Sequence, residues 1–142
     1  MEPICALKDL YKILYQFEKD FHEAHTITLN EAMLLCCLRQ DDCKTAGSLS
    51  EYIGLSPSRA SKVITTVEGK GYITRTISAE DKRQMLFTLT RAGKEKVARM
   101  QEAELKFAAL HRELTDCLRR MGSEETGKAE NGETETVEKQ TL

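Results

Sequence analysis

Between residues 56 and 65 the sequence gathers Ser56, Ser58, Arg59, Ser61, Lys62 and Thr65, short hydroxyls interleaved with long cations. Such groups reach phosphate oxygens and base edges: hydroxyls and ammonium groups to phosphate, a guanidinium fork to phosphate or to a guanine edge. Spacings of three and four put positions 58, 61, 62 and 65 on one side of a helix. Ser48 adds a hydroxyl at the expected start of the preceding helix, and further cations follow at Arg75, Lys82 and Arg83. Asp81 lies two residues before Arg83, where a carboxylate can hold a guanidinium in one orientation. These residues are the candidate contacts to a nucleic-acid duplex.

Other chemistry has less support. Cys5, Cys36, Cys37, Cys43 and Cys117 are odd in number and show no C-x-x-C spacing, so no disulfide framework is expected. Cys36 and Cys37 lie in an apolar segment, where a thiol acts as a small hydrophobe. Cys5 falls at the start of the first expected helix, where the helix terminus can activate a thiol, and is the candidate redox residue. His22 and His25, with Glu18 one turn back, lack a clear third and fourth ligand, so no metal or cofactor is expected. The sequence has no P-loop, G-x-S-x-G, dinucleotide fingerprint or H-E-x-x-H, and an enzyme is not expected.

The elements that must position the candidate residues follow from periodicity. Leu7, Leu10, Tyr11, Leu14, Phe17 and Phe21 make an apolar stripe along a helix over 5–22. Thr28-Leu29-Asn30-Glu31 reads as a capping box opening an apolar run to Leu38, and Ser48-Leu49-Ser50-Glu51 as a second, with a polar loop over 39–47 between them. The short helix after Ser48 should bury Leu49, Tyr52 and Ile53 and stop near Gly54. Ser56 then caps a helix with Pro57 at its first position, an inner stripe of Ala60, Val63, Ile64 and Val67, and an end marked by Gly69 and Gly71. Residues 72–77 and 85–89 read as strands around a charged tip, 78–84. Thr90 caps a long helix to about Met121, along which Met100, Ala103, Phe107, Leu110, Leu114, Cys117 and Met121 form a heptad seam. That seam can pair with a second chain or pack back on the first helix.

The 142 residues suffice for one modest core, and the longest apolar run, Ala32 to Leu38, is too short to span a bilayer. No basic segment followed by a long apolar run opens the chain, so a cytoplasmic location is expected. The net charge of −2 is unevenly spread: 122–142 holds six Glu and two Lys, whereas 56–96 holds nine Lys/Arg against four Asp/Glu. A local basic face is what phosphate requires, so the overall balance does not exclude a polyanionic partner. The acidic stretch has almost nothing apolar and is expected to be a disordered tail over 122–142.

The fold class expected is mainly α with a small β-hairpin wing: a winged helix-turn-helix flanked by N- and C-terminal dimerisation helices. Leu49-x-x-x-Ile53-x-Leu55-Ser56, then Val63-x-x-x-Val67-Glu68-x-Lys70-Gly71-Tyr72-Ile73-x-Arg75, then Asp81-Lys82-Arg83-x-x-x-Phe87-x-Leu89-Thr90-x-x-Gly93 resembles the MarR family of bacterial regulators. The resemblance covers about 28–96 closely. It implies a single domain over 1–121, with the winged lobe at about 28–96 and dimerisation helices at 4–22 and 97–121. It further implies a homodimer on a palindromic DNA operator, a recognition helix per major groove, wing arginines in the minor groove, and repression relieved by a small aromatic or lipophilic effector. Leu7, Leu10, Leu14, Phe107, Leu110, Leu114 and Cys117 are the candidate dimer residues. Two alternatives stand beside this reading: a winged-helix protein–protein module without DNA binding, and a cysteine-based redox-sensing regulator. Arg59, Lys62, Lys82 and Arg83 argue against the first, which calls for a neutral or acidic face.

Overall fold

The computed structural model describes residues 3–102 and 106–122. Contacts divide the chain into two units, Asp20–Ala103 and Met1–Lys19 with Glu104–Leu142. Helix α1 (Pro3–His25) contributes residues to both.

In the Asp20–Ala103 unit, α2 (Leu29–Gln40) starts at the expected capping box: Thr28 Oγ1 accepts the Glu31 N–H at 3.2 Å and Glu31 Oε2 accepts the Thr28 N–H at 2.9 Å. Ala32, Leu34, Leu35, Cys37 and Leu38 turn inward. The stretch expected to be a polar loop instead contains a two-residue strand, β1 (Lys44–Thr45). Helix α3 (Ala46–Ile53) therefore begins before Ser48, with Thr45 as its cap accepting the Ser48 N–H at 3.2 Å. The physical reason is that pairing of β1 with β3 (Met85–Leu89) holds Thr45 extended, the conformation a cap requires. Leu49 is buried as expected, but Tyr52 is 51% exposed and Ser50 is buried in its place, its hydroxyl donating to the Leu55 carbonyl at 2.6 Å.

Helix α4 (Pro57–Gly69) and strand β2 (Ile73–Ile77) follow, and the sheet order is β1-β3-β2, antiparallel throughout. Ile73 faces Leu89, Arg75 faces Phe87 and Ile77 faces Met85. Ile27, Leu34, Leu35, Leu38, Leu49 and Val67 are fully buried, and the core also takes in Phe21, Ile64, Ile73, Phe87, Val97 and Met100.

Two lysines fix the turn between α1 and α2. Thr26 takes a left-handed φ of 60°, and the Lys70 ammonium donates to its carbonyl at 3.1 Å and to Glu31 Oε2 at 3.0 Å. Lys96, itself buried, donates to the His25 carbonyl and stands 5.8 Å from the Tyr72 ring centroid. The carbonyls that end α1 are thereby satisfied by cations, which the helix dipole favours.

The long helix expected after Thr90 is not continuous. Thr90 does cap α5 (Arg91–Gln101), but α5 stops with Glu102 as its cap, and helix resumes over 106–122, here α6. The heptad seam is divided accordingly: Met100 is buried in the Asp20–Ala103 unit, Phe107, Leu110, Leu114, Cys117 and Met121 lie on α6, and Ala103 is outside the described residues. The tail over 123–142 is outside them too. In the unit formed by the start of α1 and by α6, Ala6 and Cys117 are buried and the Phe17 and Phe107 rings meet at 5.3 Å. Leu10, Leu110 and Leu114 are half-buried there, while Ile4, Leu7, Tyr11, Leu14, Tyr15 and Leu118 are exposed.

Gly93 shows how tightly α5 seats on the hairpin. A Cβ at that position would stand 2.0 Å from the Tyr72 carbonyl oxygen, a backbone atom held by the Thr90 N–H. Gly93→Ala is expected to cost on the order of 2–3 kcal/mol in chemical denaturation. Gly69→Ala, where a Cβ meets nothing within 4 Å, should cost nearly nothing, and equal effects at the two positions would contradict this packing.

Candidate nucleic-acid interface

The N-terminal turn of α4 is built as the sequence predicts. Ser56 is its cap, with φ −62° and ψ 155°, and its hydroxyl accepts the Arg59 N–H at 3.3 Å, with Pro57 at the first helical position. Ala60, Ile64 and Val67 face the core, so Ser58, Arg59, Ser61, Lys62 and Thr65 are left on the exposed side. Thr65 donates its hydroxyl to the Ser61 carbonyl at 2.9 Å, leaving the oxygen lone pairs outward as acceptors. Ser48 is half-buried and its hydroxyl accepts from Thr45 at 3.1 Å, so its first duty is to close the start of α3.

The far end of α4 stops in a Schellman motif. Gly71 has φ 81°, its N–H donates to the Glu68 carbonyl at 3.0 Å, and the Tyr72 N–H donates to the Val67 carbonyl at 3.2 Å. A left-handed residue at this point reverses the chain and launches β2 beside the helix it has just left. Arg75, three residues beyond the turn, reaches back to Glu68: Nε to Oε2 and Nη2 to Oε1, both 2.7 Å. Its guanidinium carbon also stands 5.4 Å from the Phe87 ring centroid. The hydrogen bond with Arg75 holds the Glu68 carboxyl below its ordinary range, and the same bond raises Arg75. Sequence reasoning assigned Arg75 to the duplex; the structure engages its fork with Glu68. The signal was present in the glycine turn, which brings positions 68 and 75 side by side.

The wing tip is a small hydrogen-bonded turn. The buried Ser78 hydroxyl accepts the N–H groups of Glu80 and Asp81, both at 3.3 Å, and the Gln84 N–H donates to the Asp81 carbonyl at 3.0 Å. Asp81 Oδ1 accepts the backbone N–H of Arg83 at 3.0 Å. The expected grip on the Arg83 guanidinium is not observed; Asp81 orders the backbone that carries the arginine, because the carboxylate of a turn is nearest the N–H two residues on. Lys82 and Arg83 are exposed at the tip. Between the wing and the start of α4 lies a cleft of about 500 Å³, lined by Pro57, Ser61, Thr65, Arg75, Met85 and Phe87 among others.

Among the described residues Arg59, Lys62, Lys82 and Arg83 form no ion pair, so four uncompensated cations stand on α4 and the wing tip. The remaining sequence candidates lie elsewhere. Cys5 is exposed near the start of α1, and burial raises the Cys36 and Cys37 thiols above their ordinary value. No group of three or more His, Cys, Asp or Glu among the described residues could hold a metal, and no helix among them is long and apolar enough to cross a membrane.

The family model of MarR matches residues 27–85, which span α2, α3, α4, β2 and the tip. Over these residues the chain matches the MarR family model and folds as a winged helix-turn-helix. AbsC, a MarR family transcriptional regulator from Streptomyces coelicolor, shares 26% identity at a TM-score of 0.67, covering 78% of this chain and 74% of that one. A mutant MarR from E. coli, solved in complex with operator DNA, shares 23% identity at a TM-score of 0.62 over 75% of this chain and 77% of that one. A MepR-like protein complexed with pseudoligands shares 22% identity at a TM-score of 0.67 over 87% and 92%. No curated protein sequence matches the chain.

The pairing of Glu68 with Arg75 gives the wing a response to acid in a defined direction. A lowered native carboxyl means that the pair contributes above the unfolded carboxyl range and is lost as pH falls through the lowered native value. In an NMR titration the Glu68 carboxyl should protonate after ordinary exposed glutamates as pH falls, with the Arg75 amide following it. Arg75→Gln should return Glu68 to the ordinary range, and an unchanged Glu68 titration in that variant would contradict the pairing.

Proposed function

We propose that this protein is a sequence-specific double-stranded DNA-binding regulator of transcription that acts as a homodimer on a palindromic operator. The observation that carries the reading is the uncompensated cationic surface of Arg59, Lys62, Lys82 and Arg83 on a MarR-family domain. In this reading the first turns of α4 enter the major groove, where Arg59 and Lys62 meet base edges and Ser56, Ser58, Ser61 and Thr65 meet phosphate. Lys82 and Arg83 reach the adjacent minor groove or its phosphates from the wing.

The dimer is proposed to form through the apolar side chains of α1 and α6. Leu7, Tyr11, Leu14 and Phe107 are exposed in numbers that an isolated surface does not explain. The E. coli relative bound to operator DNA supports the DNA half of the proposal, and the pseudoligand complex of the MepR-like protein supports an effector-responsive repressor. The effector in this reading is a small aromatic or lipophilic molecule.

Equilibrium binding to the DNA upstream of its own gene and to a random duplex, across a salt series, tests the reading. Affinity should fall steeply and log-linearly with salt, and Arg83→Ala should weaken both duplexes alike and reduce the slope by about one contact. Arg59→Ala and Lys62→Ala should also erode the preference for the specific duplex, by roughly 1–3 kcal/mol for a direct base contact. In sedimentation Leu7→Asp should yield monomers with greatly weakened operator binding, because linkage between half-sites is lost. A flat salt dependence in the wild type would remove DNA from the mechanism, and a wild-type monomer at micromolar concentration would remove the dimer.

A further inference from the structure

We propose that Glu68 and Arg75 form a positioning pair that sets the angle of the wing against the recognition helix, and that Arg75 acts on DNA through this geometry without touching it. The proposal rests on the DNA-binding reading and adds a residue role that reading does not supply. Arg75 is spoken for on two sides. Its fork meets both oxygens of the Glu68 carboxylate at 2.7 Å, and its face lies 5.4 Å from the Phe87 ring centroid, the residue opposite it in the ladder. The carboxylate occupies the Nε–Nη2 edge, among the stronger charge-assisted contacts a side chain makes, so a phosphate could meet this guanidinium only from its Nη1 side.

The wing has little else to hold it to α4. Only Ile73 of β2 is buried, and from Thr74 to Ile77 the strand is exposed. On the inner side, the space between the hairpin and the start of α4 is the open cleft of about 500 Å³. The ion pair is therefore a tie between α4 and the wing beside buried Phe87, at the last point before the hairpin leaves the core. Strand residues advance by about 3.3 Å each, so a tie at Arg75 lies on the order of 10 Å from the tip. A small change of angle at Ile73 displaces the tip, with Lys82 and Arg83, roughly two to three times as far as it moves Arg75. Glu68 is thus the residue that makes a negative charge useful on a cationic face.

The test compares Glu68→Gln, Arg75→Gln, Arg75→Lys and the reciprocal pair Glu68→Arg with Arg75→Glu, each checked for wild-type secondary structure by circular dichroism. In the free protein, amide hydrogen exchange over 74–77 and 85–88 should speed up in both Gln variants, speed up less in Arg75→Lys, and return toward wild type in the reciprocal pair. On duplex DNA, Glu68→Gln and Arg75→Gln should each weaken binding about tenfold, equivalent to ~1.4 kcal/mol. The loss in Glu68→Gln runs against simple electrostatics, since that change removes a negative charge. The salt slope should stay at its wild-type value in Arg75→Gln, and the reciprocal pair should recover most of the affinity. A slope lower by about one contact in Arg75→Gln, with no recovery in the reciprocal pair, would show that Arg75 touches phosphate and would overturn the proposal. Unchanged wing exchange in the Gln variants would overturn the positioning role directly. A wild-type chain that binds no duplex would overturn the DNA-binding reading and the DNA half of this proposal, while exchange in the free protein would still decide whether the pair fixes the wing.

Discussion

The joint at Gly71 and Tyr72 is the constraint on which the remaining geometry depends. Gly71 adopts the left-handed conformation that ends α4 and starts β2. The Tyr72 carbonyl accepts the Thr90 N–H at 3.0 Å, the Thr90 hydroxyl donates to the Gly71 carbonyl at 2.6 Å, and Gly93 leaves room for α5 to come down on the same atoms. The end of the recognition helix, both strands of the wing and the start of α5 are thus fixed within four residues of backbone. Tyr72 and Lys96 extend the joint toward the turn that ends α1, where Lys70 and Lys96 hold successive carbonyls.

From that joint the two parts of the proposed DNA surface diverge, and they are stabilised differently. The recognition helix is held by burial of Ala60, Ile64 and Val67, so its exposed donors start from a rigid base. Beyond Ile73 on β2 and Phe87 on β3 the wing leaves the core and depends on the ladder between its strands, on the tip turn around Ser78 and Asp81, and on the tie from Arg75 to Glu68. This division suits the proposed roles. Base reading demands fixed donors, whereas phosphate and groove-width contacts tolerate an arm with some freedom.

Much of this was legible in the sequence wherever a local rule acts alone. The capping box at Thr28, the Ser56-Pro57 start, the inner stripe of α4 and the two wing strands each follow from a few adjacent residues, and each appears as read. Long-range pairing was not legible. Thr45 caps α3 because β3 draws it into an extended conformation, and the capping-box pattern at Ser48 carries no trace of that distant partner. The break after Gln101 is invisible to a heptad pattern, since α5 and α6 both keep apolar residues in phase across it. Arg75 and Asp81 each make an intramolecular contact that their sequence neighbours do not announce. A cation on a basic face looks like a ligand for phosphate until the turn at Gly71 puts Glu68 beside it, and the Asp81 carboxylate finds a backbone N–H before it finds a guanidinium.

In the proposed function one surface, the first turns of α4 together with the wing tip, meets DNA. Amide hydrogen exchange of the full chain with and without duplex DNA tests it most directly, because it reports every segment in one experiment and requires no substitution. New protection is expected over 57–66 and 78–84 on addition of duplex, reversed by high salt, with α2 unchanged. Protection that appears on α2 or α5 instead, or no protection at any salt concentration, would contradict it.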